Sequence, residues 1–141
     1  MAKLGEASPY DDISFEYTNP ATGGPVLPTL ACWLQMLRPG VHTKAHRHSS
    51  VAIYQVFRGR GATIVDGVQI DWEQGDIFAL PPNAWHEHLN ASSSEEAVLF
   101  STNDIPLRLA INLYFEDPYP ERDGYQEVQA TYTERYTHGA V

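Results

Sequence analysis

The stretch "VHTKAHRHSSVAIY" at residues 41–54 holds three of the chain's six histidines within seven positions, the last two spaced His-x-His. Alternating imidazoles are metal-ligand chemistry. On an extended strand successive side chains point to opposite faces, so His42, Lys44, His46 and His48 share one side, and Thr43, Ala45 and Arg47 the other. His46 and His48 then lie close enough to chelate one ion. A second alternating pair, His86 and His88, stands in "NAWHEHLN" at residues 83–90. Two ligands from one strand and one from another suit a metal inside a barrel. The nearest carboxylate downstream of the first pair is Asp66, so the local sequence offers histidines without an acid.

Short β-type runs must position these residues. They cover 29–37, 51–59, 62–67, 68–72, 76–82, 97–102 and 107–115, at the 8–12-residue spacing of an all-β sandwich or barrel. Asp66-Gly67 is hairpin-turn chemistry, Asp76 a turn residue, and "NPATGGP" at 19–25 a loop. No run shows a helical period with caps. On these strands Tyr54 alternates with Ala52 and faces inward, either to donate to a substrate anion or to fill the core. His42 and Lys44 face the pocket side as substrate contacts, or else a solvated barrel mouth. Arg47 points away from the metal. Residues 1–12 read as a loose arm, and the acidic runs Asp11-Asp12 and Glu95-Glu96 as solvated faces.

A chain of 141 residues is long enough for one domain with its own core. The net charge of −9 repels nucleic acid and anionic membrane, so neither is expected as a partner. One cysteine, Cys32, excludes an intrachain disulfide and fits a reducing compartment. The absence of a signal segment or long apolar run makes the cytoplasm the expected location.

Gly40, five residues, His46-Arg47-His48 and then Gly59 resembles the first cupin motif. Gly75, five residues, Pro81, Asn83, His86 and Asn90 resembles the second, with Asn83 where a glycine is usual. The resemblance implies an all-β, single-cupin jelly-roll barrel (a double-stranded β-helix), with an N-terminal arm over 1–18, the barrel over 19–116 and a C-terminal tail over 117–141. The family's metal-binding glutamate falls at Ala52, so the implied ligand set is His46, His48 and His86 with no carboxylate. Imidazole suits iron, zinc, copper and nickel rather than magnesium or calcium. Three neutral ligands leave the ion's charge uncompensated, ready for an anionic bidentate substrate.

"PGVHTKAHRH", "VDGVQIDWEQGDIFALPPNAWHEHLN" and "AVLFSTND" are similar to gentisate 1,2-dioxygenases and the related salicylate and 1-hydroxy-2-naphthoate dioxygenases. Those are bicupins, and these segments look most like the C-terminal module. The resemblance implies Fe(II), with zinc, nickel or manganese as other candidates, and extradiol-type cleavage of a hydroxylated aromatic acid by dioxygen. His88 matches a histidine that contacts substrate or oxygen and would orient oxygen or move a proton. Tyr54 stands where an arginine binds the substrate carboxylate in the first module. Cupin analogy implies a homodimer or larger homo-oligomer. Two further readings stay open: a non-catalytic metal-binding or structural cupin equivalent to half of a bicupin, and a single-cupin isomerase or lyase using zinc or manganese.

Overall fold

The computed structural model of the chain describes residues 6–132. Among these, two sheets face each other. The first has the strands β1 (Ile13–Glu16), β2 (Ala31–Leu37), β4 (Ala52–Arg58), β7 (Ile77–Leu80) and β9 (Ala97–Asn103), in the order β1-β2-β9-β4-β7. The second has β3 (His46–His48), β5 (Arg60–Val65), β6 (Val68–Glu73), β8 (His86–Asn90), β10 (Glu116–Pro118) and β11 (Ala130–Tyr132), in the order β10-β3-β8-β5-β6-β11. The strand spacing predicts an all-β sandwich or barrel and the cupin resemblance implies a jelly roll, and the two sheets form that jelly roll. The β5–β6 hairpin turns at Asp66-Gly67, both with positive φ, as a two-residue primed turn requires. Among the described residues no helix is long and apolar enough to cross a membrane.

The core follows from strand alternation. Residues 52, 54 and 56 of β4 point inward, as do Leu37, Leu80, Trp72, Ala97 and Leu99 from the strands around them. Burying each leucine contributes about 1.5–3 kcal/mol. The opposite faces of β4 and β7 leave Ile53, Phe57 and Ile77 exposed.

Three expectations change. Residues 107–115 do not form a strand: the chain makes a short helix, α1 (Ile105–Ala110), with Pro106 in its first turn, where a missing N–H is harmless. Leu107, Leu109, Ile111 and Leu113 remain exposed, so their apolar character marks no buried face. The expected arm and tail both reach beyond the described residues, but their described parts are woven into the barrel. β1 pairs with β2, β10 with β3 and β11 with β6. Finally, Asp12 is no solvated acid. It is buried and accepts hydrogen bonds from the Arg38 backbone N–H and guanidinium at 2.7–3.2 Å, tying the entry of β1 to the exit of β2.

Candidate metal centre

His46 and His86 are directly opposite in the β3–β8 ladder, and His48 follows on the same inward face. The candidate ligand atoms of the three histidines all lie within 4.8 Å of one another. Their other nitrogens are engaged. His46 Nδ1–H donates to the Glu116 carboxylate at 2.9 Å, and His86 Nδ1–H to the Ala84 carbonyl at 3.0 Å. His48 Nδ1 lies 2.7 Å from the Ser50 hydroxyl oxygen and 3.2 Å from the Ser50 carbonyl. Each Nε2 is thereby turned to the common centre, and His86 Nε2 is buried with no partner. An orphaned buried nitrogen is costly unless something fills its lone pair. Burial and the neighbouring imidazoles hold His48 below, and His86 well below, the usual histidine range. Both are neutral at neutral pH, the form a metal ligand needs. The donor set therefore fits a borderline transition metal.

An acid does stand beside these histidines, and no residue near them in the chain announces it. Glu116 arrives from β10, 70 residues after His46, and the hydrogen bond from His46 holds its carboxyl below the ordinary range. Asp11, expected on a solvated face, reaches in from the N-terminal segment. Its carboxylate lies 4.0 Å from His46 Nε2, and burial raises its pKa. Tyr10 stacks on the His46 ring at 5.1 Å. The segment expected as a loose arm is thus a wall of the site.

A cavity of about 130 Å³ opens next to His46 and His48. It is small against the roughly 300–1,000 Å³ of typical ligand pockets, which suits a single small ring. Its far wall is the first sheet: Trp33 and Gln35 of β2, Ala52 and Tyr54 of β4, Ser101 and Asn103 of β9. Ala52, where a glutamate is usual in cupins, leaves space here. Tyr54 stacks on Phe78 at 5.2 Å. Burial, then the charge of Asp11, pushes its phenol well up, so it stays protonated and keeps an O–H to donate. None of the lining side chains is a lysine or arginine.

The other singled-out residues fall elsewhere. His42 pairs with Leu89 while His46 pairs with His86, four steps on one strand against three on the other. That one-residue slip reverses the face. His42 therefore points outward, 2.8 Å from Glu87 and packed on Tyr125. Lys44 lies in a separate cleft with Tyr10 and Gly124. Neither lines the cavity as expected. Arg47 faces away, over the Trp85 ring at 4.5 Å and paired with Asp117 at 3.1 Å. His88 is buried, hydrogen-bonded through Nδ1 to Thr63 at 2.8 Å and in ring contact with Tyr54 at 5.2 Å. Burial first, then His46 and His48, push it down to about 3. Such a group is a poor proton carrier near neutrality. Asn83, in place of the usual glycine, has φ +62, a conformation asparagine tolerates better than other side chains. Asn90 serves the fold, donating to the carbonyls of Leu37, Arg38 and Glu95.

A family model described as "Cupin domain" matches residues 33–103. The chain is 47% identical over 112 residues to 5-aminosalicylate 1,2-dioxygenase of Comamonas sp., covering 79% of this chain and 29% of that protein. It is 40% identical over 115 residues to 1-hydroxy-2-naphthoate 1,2-dioxygenase of Nocardioides sp. strain KP7, covering 82% and 30%. Among solved structures it is similar to salicylate 1,2-dioxygenase from Pseudaminobacter salicylatoxidans, with TM-score 0.70 and 30% identity over 74% of this chain and 29% of that one. The chain therefore spans under a third of the length of these relatives.

Proposed function

The chain belongs to the cupin domain family, and from that premise we propose that it is a metal-dependent, ring-cleaving dioxygenase-like cupin acting on a hydroxylated aromatic carboxylic acid. The observation that carries this reading is the convergence of three imidazoles, one with its Nε2 orphaned and buried, beside a cavity sized for one ring. The relatives named for aminosalicylate, hydroxynaphthoate and salicylate support the substrate class.

His46, His48 and His86 would hold the ion, Fe(II) in this reading, with zinc, nickel or manganese as weaker fits. When bound, iron supplies the one-electron chemistry that lets dioxygen react with an aromatic ring, both oxygen atoms entering the product. The protein's own groups do the rest. Glu116 fixes the tautomer and orientation of His46. Tyr54 offers a permanently protonated hydroxyl to a substrate oxygen. His88, neutral and packed on Tyr54, positions that phenol rather than carrying a proton. Ala52 leaves the space that a glutamate would fill. The working form is a homo-oligomer.

Anaerobic Fe(II) reconstitution followed by oxygen-uptake assays on gentisate, salicylate and 1-hydroxy-2-naphthoate tests the reading. Uptake with at least one of the three is expected, with loss of both iron and uptake in His46→Ala. No uptake from an iron-loaded protein on any of them overturns it. A second reading is a metal-binding cupin that completes a larger bicupin-like assembly. It is favoured by a cavity lined without lysine or arginine. A stoichiometric partner carrying a second cupin module, co-purifying with the chain, would mark it.

A further inference from the structure

The first sheet carries a buried orphan of its own. Trp33 Nε1 is buried and has no hydrogen-bond partner, although its side chain lines the cavity facing the histidines. The register explains the direction. Ala31, Trp33, Gln35 and Leu37 take the inward positions of β2, while Leu34 and Met36 line a groove on the outer face. The other buried indole, Trp72, is satisfied, donating to Thr63 at 2.9 Å. A buried N–H left unpaired costs about 1–3 kcal/mol, so its persistence at a cavity wall needs a reason.

We propose that the indole N–H of Trp33 is a specificity-determining donor that binds an oxygen of the aromatic acid, so that this cavity recognises its ligand through neutral donors instead of a guanidinium. This inference rests on the functional reading above and deepens it. The cavity lining offers no cation for a carboxylate, and Asp11 at its edge adds negative charge. What remains on the wall opposite the histidines is hydrogen-bond donors. Tyr54 is one, since its phenol stays protonated. Among the lining side chains, Trp33 is the one whose donor is buried without a partner. A ligand with one oxygen toward the histidines and one toward β2 satisfies two of the three buried unpaired nitrogens, Trp33 Nε1–H and His86 Nε2, the latter through the ion; the third, His88 Nε2, is not reached this way. An aromatic acid with adjacent carboxylate and hydroxyl groups has that disposition of oxygens.

The test follows the three indole N–H signals by ¹H–¹⁵N NMR in zinc-loaded protein, which is diamagnetic, during titration with salicylate. Trp33→Phe keeps an aromatic ring and removes the donor, and the signal it deletes assigns Trp33. A downfield shift of the Trp33 signal on titration is expected, with Trp72 unmoved. Calorimetry should show salicylate binding Trp33→Phe about tenfold more weakly, the effect of one lost hydrogen bond to a charged group. Salicylate binding with the Trp33 signal unmoved, or equal affinity in a folded Trp33→Phe, overturns the inference and leaves the proposed function standing. If salicylate does not bind the zinc-loaded wild type, the same titration is run with gentisate and 1-hydroxy-2-naphthoate, and absence of binding by all three overturns both. If Trp33→Phe shows no cooperative melt, the wild-type titration decides alone, with Trp33 assigned by backbone-linked experiments.

Discussion

At the scale of single residues the site is a set of imidazoles whose second nitrogens are tied down. The carboxylate of Glu116 matters because it accepts from His46 and so holds Nε2 toward the centre. Glu116→Ala should weaken metal binding about 10–100-fold, as loss of such orienting partners generally does, read by competition with a chelator. A second consequence concerns pH. His88 is held down to about 3 against an ordinary 6.5, and His48 and His86 are lowered too. The unfolded chain binds these protons first, so metal-free protein keeps full stability above about pH 6.5 and loses it as pH falls toward 3. Chemical denaturation from pH 8 to 4 should show this decline, flattened in His88→Phe. A stability that does not change across that range would contradict the buried neutral histidine.

At the scale of elements, two ladders set the geometry. β3–β8 places His46 opposite His86, and β8 is backed by β5. That backing needs Gly61, because a Cβ there would overlap the Leu89 carbonyl oxygen and the Trp72 ring. Gly61→Ala should cost about 1–3 kcal/mol in urea denaturation, the usual range for overpacking, and loosen metal binding by displacing β8. The strands were legible because their alternation and turn residues agree. The slip between His42 and His46 was not, since no residue in "VHTKAHRH" announces an extra step. It arises where the backbone leaves the ladder: Lys44 N–H donates to Pro9 O and Ala45 N–H to Gly124 O. One slipped residue moved His42 and Lys44 from the expected pocket to the outside.

At the scale of the whole molecule, the outer face of the first sheet is unusually apolar for a chain with net charge −9. Phe15, Tyr17, Ile53, Phe57 and Ile77 are exposed there. Contiguous exposed apolar surface commonly marks an interface. In the homo-oligomer proposed above, this face is where copies meet. Light scattering should give at least twice the chain mass of 15.8 kDa, and Phe57→Glu with Ile77→Glu should shift the protein toward monomer. A wild-type monomer at tens of micromolar would remove the homo-oligomer from the reading.

The sequence by itself determined the β architecture, the turns and the three histidines, because each is written in local chemistry: period-two alternation, residues that accept positive φ, and ligand types at strand spacing. Even the departure at Asn83 was consistent, since asparagine accepts the φ +62 found there. Only the tertiary structure decided what surrounds the histidines. Asp11 and Tyr10 come from a segment that reads as an arm, Glu116 from the boundary of the expected barrel and tail, and Trp33 from a β-type run with no mark of the site. Their roles depend on which strands become neighbours across 70 residues of chain or more than 30, and pairing over such distances leaves no mark in the local order of residues. It is set by the closure of the two sheets around a shared core, which the folded molecule alone displays.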